Sequence, residues 1–164
     1  MNYIIGIDIG TGSAKAVAVN TSGEAIYTTQ VSYPTIHPEP DYSEQAPELI
    51  WQAFVKCVIR TVDSLDEKPS AIVLSSAMHS VIAVDENGSP LMNMIIWADN
   101  RSASIATEIK DSTQGKLIYE QTGTPIHAMS PLSKIVWLKE HRPSLFKEIH
   151  RFISIKEYIW YKLF

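Results

Sequence analysis

Asp8-Ile9-Gly10-Thr11-Gly12-Ser13-Ala14-Lys15 places a carboxylate, two glycines, two hydroxyls and an ammonium within one short stretch. That inventory suits the grip of a polyphosphate. Glycines at positions 10 and 12 let the backbone turn sharply and present successive amide N–H groups to phosphate oxygens. Thr11 and Ser13 add hydroxyl donors, and Lys15 adds a positive charge. Asp8 offers hard carboxylate oxygens of the kind that hold Mg²⁺, directly or through water. The spacing is neither the Gly-x-x-x-x-Gly-Lys-Ser/Thr phosphate loop nor the Gly-x-Gly-x-x-Gly dinucleotide fingerprint. A hairpin turn with no ligand is the competing reading of the same residues.

The elements that must position this loop are legible on both sides of it. Residues 3–9 form a short, β-rich apolar run that ends in the Gly-Thr-Gly-Ser cluster, which predicts a buried strand entering a tight turn. Residues 14–19 and 24–33 read as two further strands, joined by Asn20-Thr21-Ser22-Gly23, so the first third of the chain is expected to be an antiparallel meander. The element after the loop is a strand, where a dinucleotide or phosphate-loop motif would have a helix. Residues 34–47 hold four prolines and are too rich in breakers for regular structure, ending in Ser43-Glu44-Gln45-Ala46-Pro47 as a helix start. Ile50, Trp51, Phe54, Val58, Val62 and Leu65 recur at three- and four-residue intervals and predict an amphipathic crossover helix.

Beyond it, residues 71–75 read as a short buried strand and residues 81–85 as a strand turning at Glu86-Asn87-Gly88, and residues 91–97 supply another apolar segment. Helices are predicted over 102–110, 116–121, 131–140 and from about residue 155 to 164. The resulting expectation is an α/β domain in which one sheet is covered by helices, without internal repeats or an interdomain linker.

A length of 164 residues fits one domain, and 45% hydrophobic with 20% charged residues is a globular balance. The net charge of −4 comes without a basic stripe, which argues against nucleic acid as a partner. Anionic ligands must then be held by local geometry. The single cysteine, Cys57, rules out an intrachain disulfide and suits a reducing compartment. The start of the chain has no cationic region and carries Asp8 inside its apolar run, so neither a signal peptide nor a membrane span is expected and the cytoplasm is the default location. His37, His127, His141 and His150 are scattered without partners at ligand spacing, so no zinc site is read. The closing run Tyr158-Ile159-Trp160-Tyr161-Lys162-Leu163-Phe164 is apolar and aromatic without a polar tail, which predicts continuation into a larger protein.

Three more stretches complete the pattern: Ser75-Ser76-Ala77-Met78-His79-Ser80, then Asp85-Glu86-Asn87-Gly88-Ser89-Pro90-Leu91, then Ile96-Trp97-Ala98-Asp99-Asn100-Arg101-Ser102. The Asp8 loop resembles the first phosphate-binding hairpin of the actin, hexokinase and Hsp70 superfamily. In this order and spacing the whole chain closely resembles the FGGY family of carbohydrate kinases. Tyr42-Ser43-Glu44-Gln45-Ala46-Pro47, Thr122-Gly123-Thr124-Pro125 and Lys134-Ile135-Val136-Trp137 are similar to family segments as well. Within the family, Ala77-Met78-His79-Ser80 with Trp97-Ala98-Asp99-Asn100-Arg101 looks most like the members that phosphorylate gluconate. Members acting on xylulose have a similar Met-His, and those acting on glycerol carry Arg-Glu where Met78-His79 stands.

The resemblance implies an actin-like (ribonuclease H-like) ATPase fold, with a mixed sheet, an N-terminal antiparallel meander and flanking helices. Residues 1–164 would be the N-terminal part of the first of two such domains, an incomplete domain. ATP and Mg²⁺ are the implied cofactors. Thr11, Gly12 and Ser13 would cradle the β- and γ-phosphates, Lys15 would neutralise charge moving during transfer, and Asp8 would organise the metal. Met78 and His79 would line a sugar site, with His79 bonding a substrate hydroxyl, Trp97 against the carbon chain, and Asp99 with Arg101 serving or bracing the pocket. The family's general base is an Asp expected beyond Phe164, so no catalytic residue is assigned in this segment and the segment alone is expected to be inactive. Dimers are common in the family and a homodimer is compatible with this chain.

Each residue also has a plainer reading. His79 can be a satisfied structural histidine, Met78 core filler, Trp97 a buried ring, and Asp99 with Arg101 a salt bridge. Two alternatives to gluconate phosphorylation remain open, a pentulose kinase acting on a substrate such as xylulose, and a non-catalytic actin-like module that binds nucleotide or assembles with partners.

Overall fold

Tyr3, Ile5, Ile7 and Ile9 alternate with Ile4, Gly6 and Asp8, the period-two pattern of a strand with one face against a core. The computed structural model describes residues 2–164, so Met1 lies outside the described residues. In chain order the elements are β1 (Tyr3–Ile9), β2 (Ser13–Asn20), β3 (Ala25–Ser32), β4 (Glu44–Gln45), α1 (Pro47–Leu65), β5 (Ala71–Ser76), β6 (Ile82–Val84) and β7 (Met94–Ile95). They continue as α2 (Ala103–Asp111), α3 (Thr113–Thr122), α4 (Pro131–His141), α5 (Pro143–Glu148), β8 (Arg151–Ile153) and α6 (Ile155–Leu163). Two compact units result. The first holds the chain up to Thr35, Ala46–Ala77 and Lys156–Phe164; the second holds Ile36–Gln45 and Met78–Ile155.

In the first unit the strand order is β3-β2-β1-β5. β1 to β3 form the expected antiparallel meander, and β5 joins β1 in parallel after the crossover through α1. Expected to be a buried strand, β5 has none of its residues buried, and Val73 stands 57% exposed. Tyr3, Ile5, Ile7 and Ile9 are buried on one side of the sheet together with Ala14, Ala16 and Ala18 of β2. Alanines at these positions let α1 lie close against β2 and β3. The buried residues of α1 include Ile50, Ala53, Phe54, Cys57 and Thr61, a stripe of helical period, and each fully buried isoleucine or phenylalanine contributes about 1.5–3 kcal/mol. Pro47 opens the helix, where its missing N–H costs nothing, and Asp66 in the left-handed region closes it. Cys57 is fully buried, its Sγ 3.4 Å from the Ala14 carbonyl oxygen. With this face turned to α1, the alternate residues Ile4, Asp8 and Lys15 are left exposed on the other.

The second unit is built on two short ribbons, β4 with β7 and β6 with β8, both antiparallel. Its core gathers Val81, Ile95, Ile105, Trp137 and Leu138, with Tyr42, Met92 and Phe152 packed around them. Asp85 accepts from the amides of Asn87 and Ser89, and Gly88 takes a φ of 76° to complete that turn. Ser112 caps α3 by accepting from the Gly115 amide, and a Cβ at Gly115 would fall 2.0 Å from the Ile109 carbonyl oxygen. Only glycine allows α3 to start that close to the end of α2.

The expectation of one sheet under helices is corrected here: residues after β5 pair as separate two-stranded ribbons. Glu44 and Gln45, read as part of a helix start, form β4, and the helix begins only at Pro47. α5 and β8 had no counterpart in the sequence reading. α5 has six residues and buries none of them, so it leaves no apolar stripe to detect. Among the described residues, no helix is long and apolar enough to cross a membrane.

Candidate functional site

The phosphate-type loop lies in the first unit, and the register of its hairpin decides where the charged groups stand. Asp8 pairs with Lys15 across the antiparallel ladder and with Ser75 across the parallel one. Directly opposite residues have Cβ atoms about 4.5–5.5 Å apart, so the carboxylate and the ammonium share one exposed patch at the end of the hairpin. Asp8 does not point into a sealed apolar interior, the placement that would exclude a metal or nucleotide role.

The loop is tied from within and from β3. The Gly10 amide donates to the Ser13 carbonyl at 2.9 Å. Tyr33, 7% exposed, then clamps the loop twice: its amide donates to the Gly12 carbonyl at 3.1 Å and its hydroxyl to the Gly10 carbonyl at 2.5 Å. Burial raises the Tyr33 phenol well above its ordinary value, with Asp8 and Cys57 adding to the effect, so at neutral pH it remains a donor. Gln30 donates to the Ser13 hydroxyl at 2.8 Å. The backbone bends at Thr11 and Gly12, without a positive φ at Gly10 or Gly12. A Cβ at Gly10 would stand 3.5 Å from Asp8 Oδ2, whereas one at Gly12 would meet nothing within 4 Å. Bare backbone and open space over the tip, with Asp8 beside it, are what the glycines provide.

The residues present fit Mg²⁺ better than a caged metal. Among the described residues no three His, Cys, Asp or Glu side chains gather into a metal-holding group. A lone exposed carboxylate suits an ion that keeps several waters and takes further oxygens from substrate phosphates.

Met78, His79, Trp97 and Asp99 all fall in the second unit. Met78 is 73% exposed and Trp97 47% exposed. His79 is half-buried and adopts φ 65°, a left-handed conformation that costs a non-glycine residue on the order of 1 kcal/mol or more. It borders a cavity of about 330 Å³ shared with Ile118, Thr122, Thr124, Ser130 and Leu132.

Asp99 has a different surrounding. It is completely buried, and its Oδ2 accepts from the Ser43 amide at 2.6 Å and from Arg101 at 2.8 Å, while Oδ1 accepts from the Arg101 Nε at 2.9 Å. Arg101 also reaches Glu44 at 2.7 Å and lies 3.7 Å from the Tyr42 ring centroid, with Trp137 at 5.2 Å on another side. Burial works against the guanidinium charge, but the bonds to Asp99 and Glu44 outweigh it and hold the group above its ordinary value. With both carboxylate oxygens engaged, Asp99 acts as a brace for the turn that presents Trp97.

Two residues, one in each unit, escaped the sequence reading. Tyr33 was read only as the end of a strand. Lys134 was noted only within a family segment, yet it is fully buried, donating to the carbonyls of His79 at 2.7 Å and Met129 at 2.9 Å. Burial pushes its ammonium down to about 8, with Asp99 opposing that shift and Arg101 adding to it. A signal existed, because Lys134 stands three and four residues before Trp137 and Leu138 on the buried stripe of α4.

Comparison with known proteins bears on the family and the fold. The gluconokinase of Bacillus subtilis (strain 168) is 46% identical over 164 residues, covering 99% of this chain and 32% of that protein. The xylulose kinase of Staphylococcus xylosus is 34% identical over 164 residues, covering 99% of this chain and 34% of that protein. The crystal structure of gluconate kinase from Lactobacillus acidophilus superposes with a TM-score of 0.92 at 37% identity, covering 96% of this chain and 32% of that one. The chain therefore spans about a third of the length of the curated relatives it matches. Its mixed sheet with flanking helices is the actin-like ATPase fold of those kinases. With the profile of their N-terminal domain matching residues 3–164, the chain belongs to the FGGY family of carbohydrate kinases.

Proposed function

We propose that this chain forms the front part of an ATP-dependent kinase that converts D-gluconate and ATP to 6-phosphogluconate and ADP. The observation that carries the reading is the register that stands Asp8 and Lys15 side by side and exposed, next to the open backbone at Gly12. Phosphoryl transfer asks the protein mainly for positioning and charge stabilisation. Thr11, Gly12 and Ser13 hold the β- and γ-phosphates, and Lys15 balances charge as the bond from the γ-phosphorus to ADP breaks. Asp8 holds Mg²⁺, which when bound neutralises phosphate charge. His79 bonds a substrate hydroxyl, Met78 and Trp97 lie along the carbon chain, and Asp99 positions the Trp97 turn through Arg101 and Ser43. The attacking sugar hydroxyl gives its proton to a carboxylate base that the family resemblance puts beyond Phe164. A single cysteine, buried on α1, suits a reducing compartment, and the cytoplasm is the proposed location.

Gluconate is favoured because the likeness to a gluconokinase is stronger than that to a xylulose kinase; the latter likeness supports a pentulose as the second reading. The deciding experiment uses the full-length protein with gluconate and ketopentoses, and the variant His79→Ala. Preferential turnover of gluconate is expected, with the variant raising the sugar KM about tenfold, the worth of one hydrogen bond of roughly 1.4 kcal/mol, and leaving the ATP KM unchanged. Turnover of a ketopentose in place of gluconate overturns the substrate assignment. A sugar KM indifferent to His79→Ala overturns the sugar site, and absence of turnover with every sugar favours a non-catalytic module.

A further inference from the structure

We infer that Lys134 is a positioning residue for sugar binding, because its buried side chain joins the main-chain carbonyls of His79 and Met129 and so holds two walls of one cavity at a fixed separation. The inference rests on the proposed role of His79 in holding the sugar.

A lysine is seldom fully buried, and a buried ammonium ordinarily faces a carboxylate. Lys134 is 0% exposed, and its two hydrogen bonds go to neutral carbonyls. The carboxylate whose charge it senses, Asp99, is already bonded to Arg101 and Ser43. A methionine or leucine would fill the same place on the α4 stripe, beside Trp137 and Leu138, without burying a charge. Packing alone therefore does not explain a lysine at this position.

The carbonyls it joins do explain it. His79 lies 55 residues before Lys134, and Met129 lies five before it. His79 is on one side of the 330 Å³ cavity, while Ser130 and Leu132, the neighbours of Met129 at the start of α4, line the same space. The Lys134 side chain spans from the first turn of α4 to the His79 peptide and fastens the two sides together. His79 also sits in the left-handed region, from which a non-glycine residue relaxes unless its surroundings hold it. Fixing its carbonyl fixes the peptide plane, and with it the direction in which the imidazole leaves the backbone.

The test compares the full-length wild type, Lys134→Met, His79→Ala and the double variant, each first shown to be folded by circular dichroism, in separate titrations of gluconate and ATP. Lys134→Met keeps the volume and removes both bonds. The expected result is a sugar KM raised about tenfold with the ATP KM within about twofold of wild type, and a double variant no worse for sugar than His79→Ala alone, since residues acting through one another are not additive. A Lys134→Met sugar KM within about twofold of wild type, while His79→Ala raises it, overturns the inference and leaves the sugar-site reading standing. No change with His79→Ala overturns both. If Lys134→Met does not fold, Lys134→Leu, which also lacks an N–H donor, is measured against the same limits.

Discussion

Asp99 shows how one residue's surroundings decide its role. Its carboxylate and the Arg101 guanidinium are almost wholly buried, and each is the other's main charge partner. Removing Asp99 leaves the guanidinium paired with Glu44 but deletes the charged hydrogen bonds to Arg101 and strands the Ser43 amide, at a cost of about 1–3 kcal/mol. Asp99→Ala is therefore expected to lower the stability of this polypeptide by that amount in urea unfolding followed by tryptophan fluorescence, and an unchanged midpoint would contradict the brace assignment. Lys134 carries a prediction of opposite form. Its folded-state value is lowered to about 8 from an ordinary 10.5. Below pH 8 both folded and unfolded states are protonated and the burial cost is felt in full. Between 8 and 10.5 the unfolded chain binds more protons, so stability rises with pH, and above 10.5 the gain is complete. Relative to Lys134→Met, the wild type should gain about 3 kcal/mol across that window. A difference that stays flat from pH 7 to 10 refutes it.

At the scale of elements, the hairpin of β1 and β2 and the last residues of β3 act as one device. α1 claims one face of the sheet, the pleat sends Asp8 and Lys15 to the other, and the chain leaving β3 brings Tyr33 over the loop. Tyr33→Phe keeps the amide bond to Gly12 and deletes only the hydroxyl bond to Gly10. A lost hydrogen bond of about 1 kcal/mol loosens the loop. In the full-length protein the ATP KM should rise about threefold to tenfold while the sugar KM stays put; a change confined to the sugar KM would contradict a phosphate role for the loop. The meander and the helical period of α1 were legible in advance because they repeat over many residues, but the buried face of α1 is centred on Ala53, Cys57 and Thr61 beside Ile50 and Phe54, and leaves Trp51, Val58, Val62 and Leu65 only half-buried at its edges. α5, β8 and the β4–β7 ribbon were not legible, since elements of two to six residues carry too few positions to show a period.

At the scale of the molecule, the chain covers about a third of its relatives' length. Its net charge of −4 gives no long-range attraction for an anionic nucleotide, so affinity must come from the local donors of the hairpin. The proposed reaction also needs a base and closure around ATP. This 164-residue polypeptide alone is therefore expected to release no ADP from ATP and gluconate in a coupled assay, while the full-length protein does. Turnover by the polypeptide within about tenfold of the full-length rate would place the base inside these residues and overturn the assignment of roles.

By itself, the order of residues determined the turn from Gly10 to Ser13 and its flanking strands, the helix α1, and the family, because each is written in neighbouring positions or in a repeating period. Tertiary structure alone decided that Asp99 braces while Asp8 stands exposed, that Tyr33 clamps the loop from 23 residues away, and that Lys134 is buried against a carbonyl 55 residues before it. Those outcomes depend on which distant groups share a low-dielectric space and complete one another's hydrogen bonds. No local pattern encodes that, so it becomes visible only once the chain has folded.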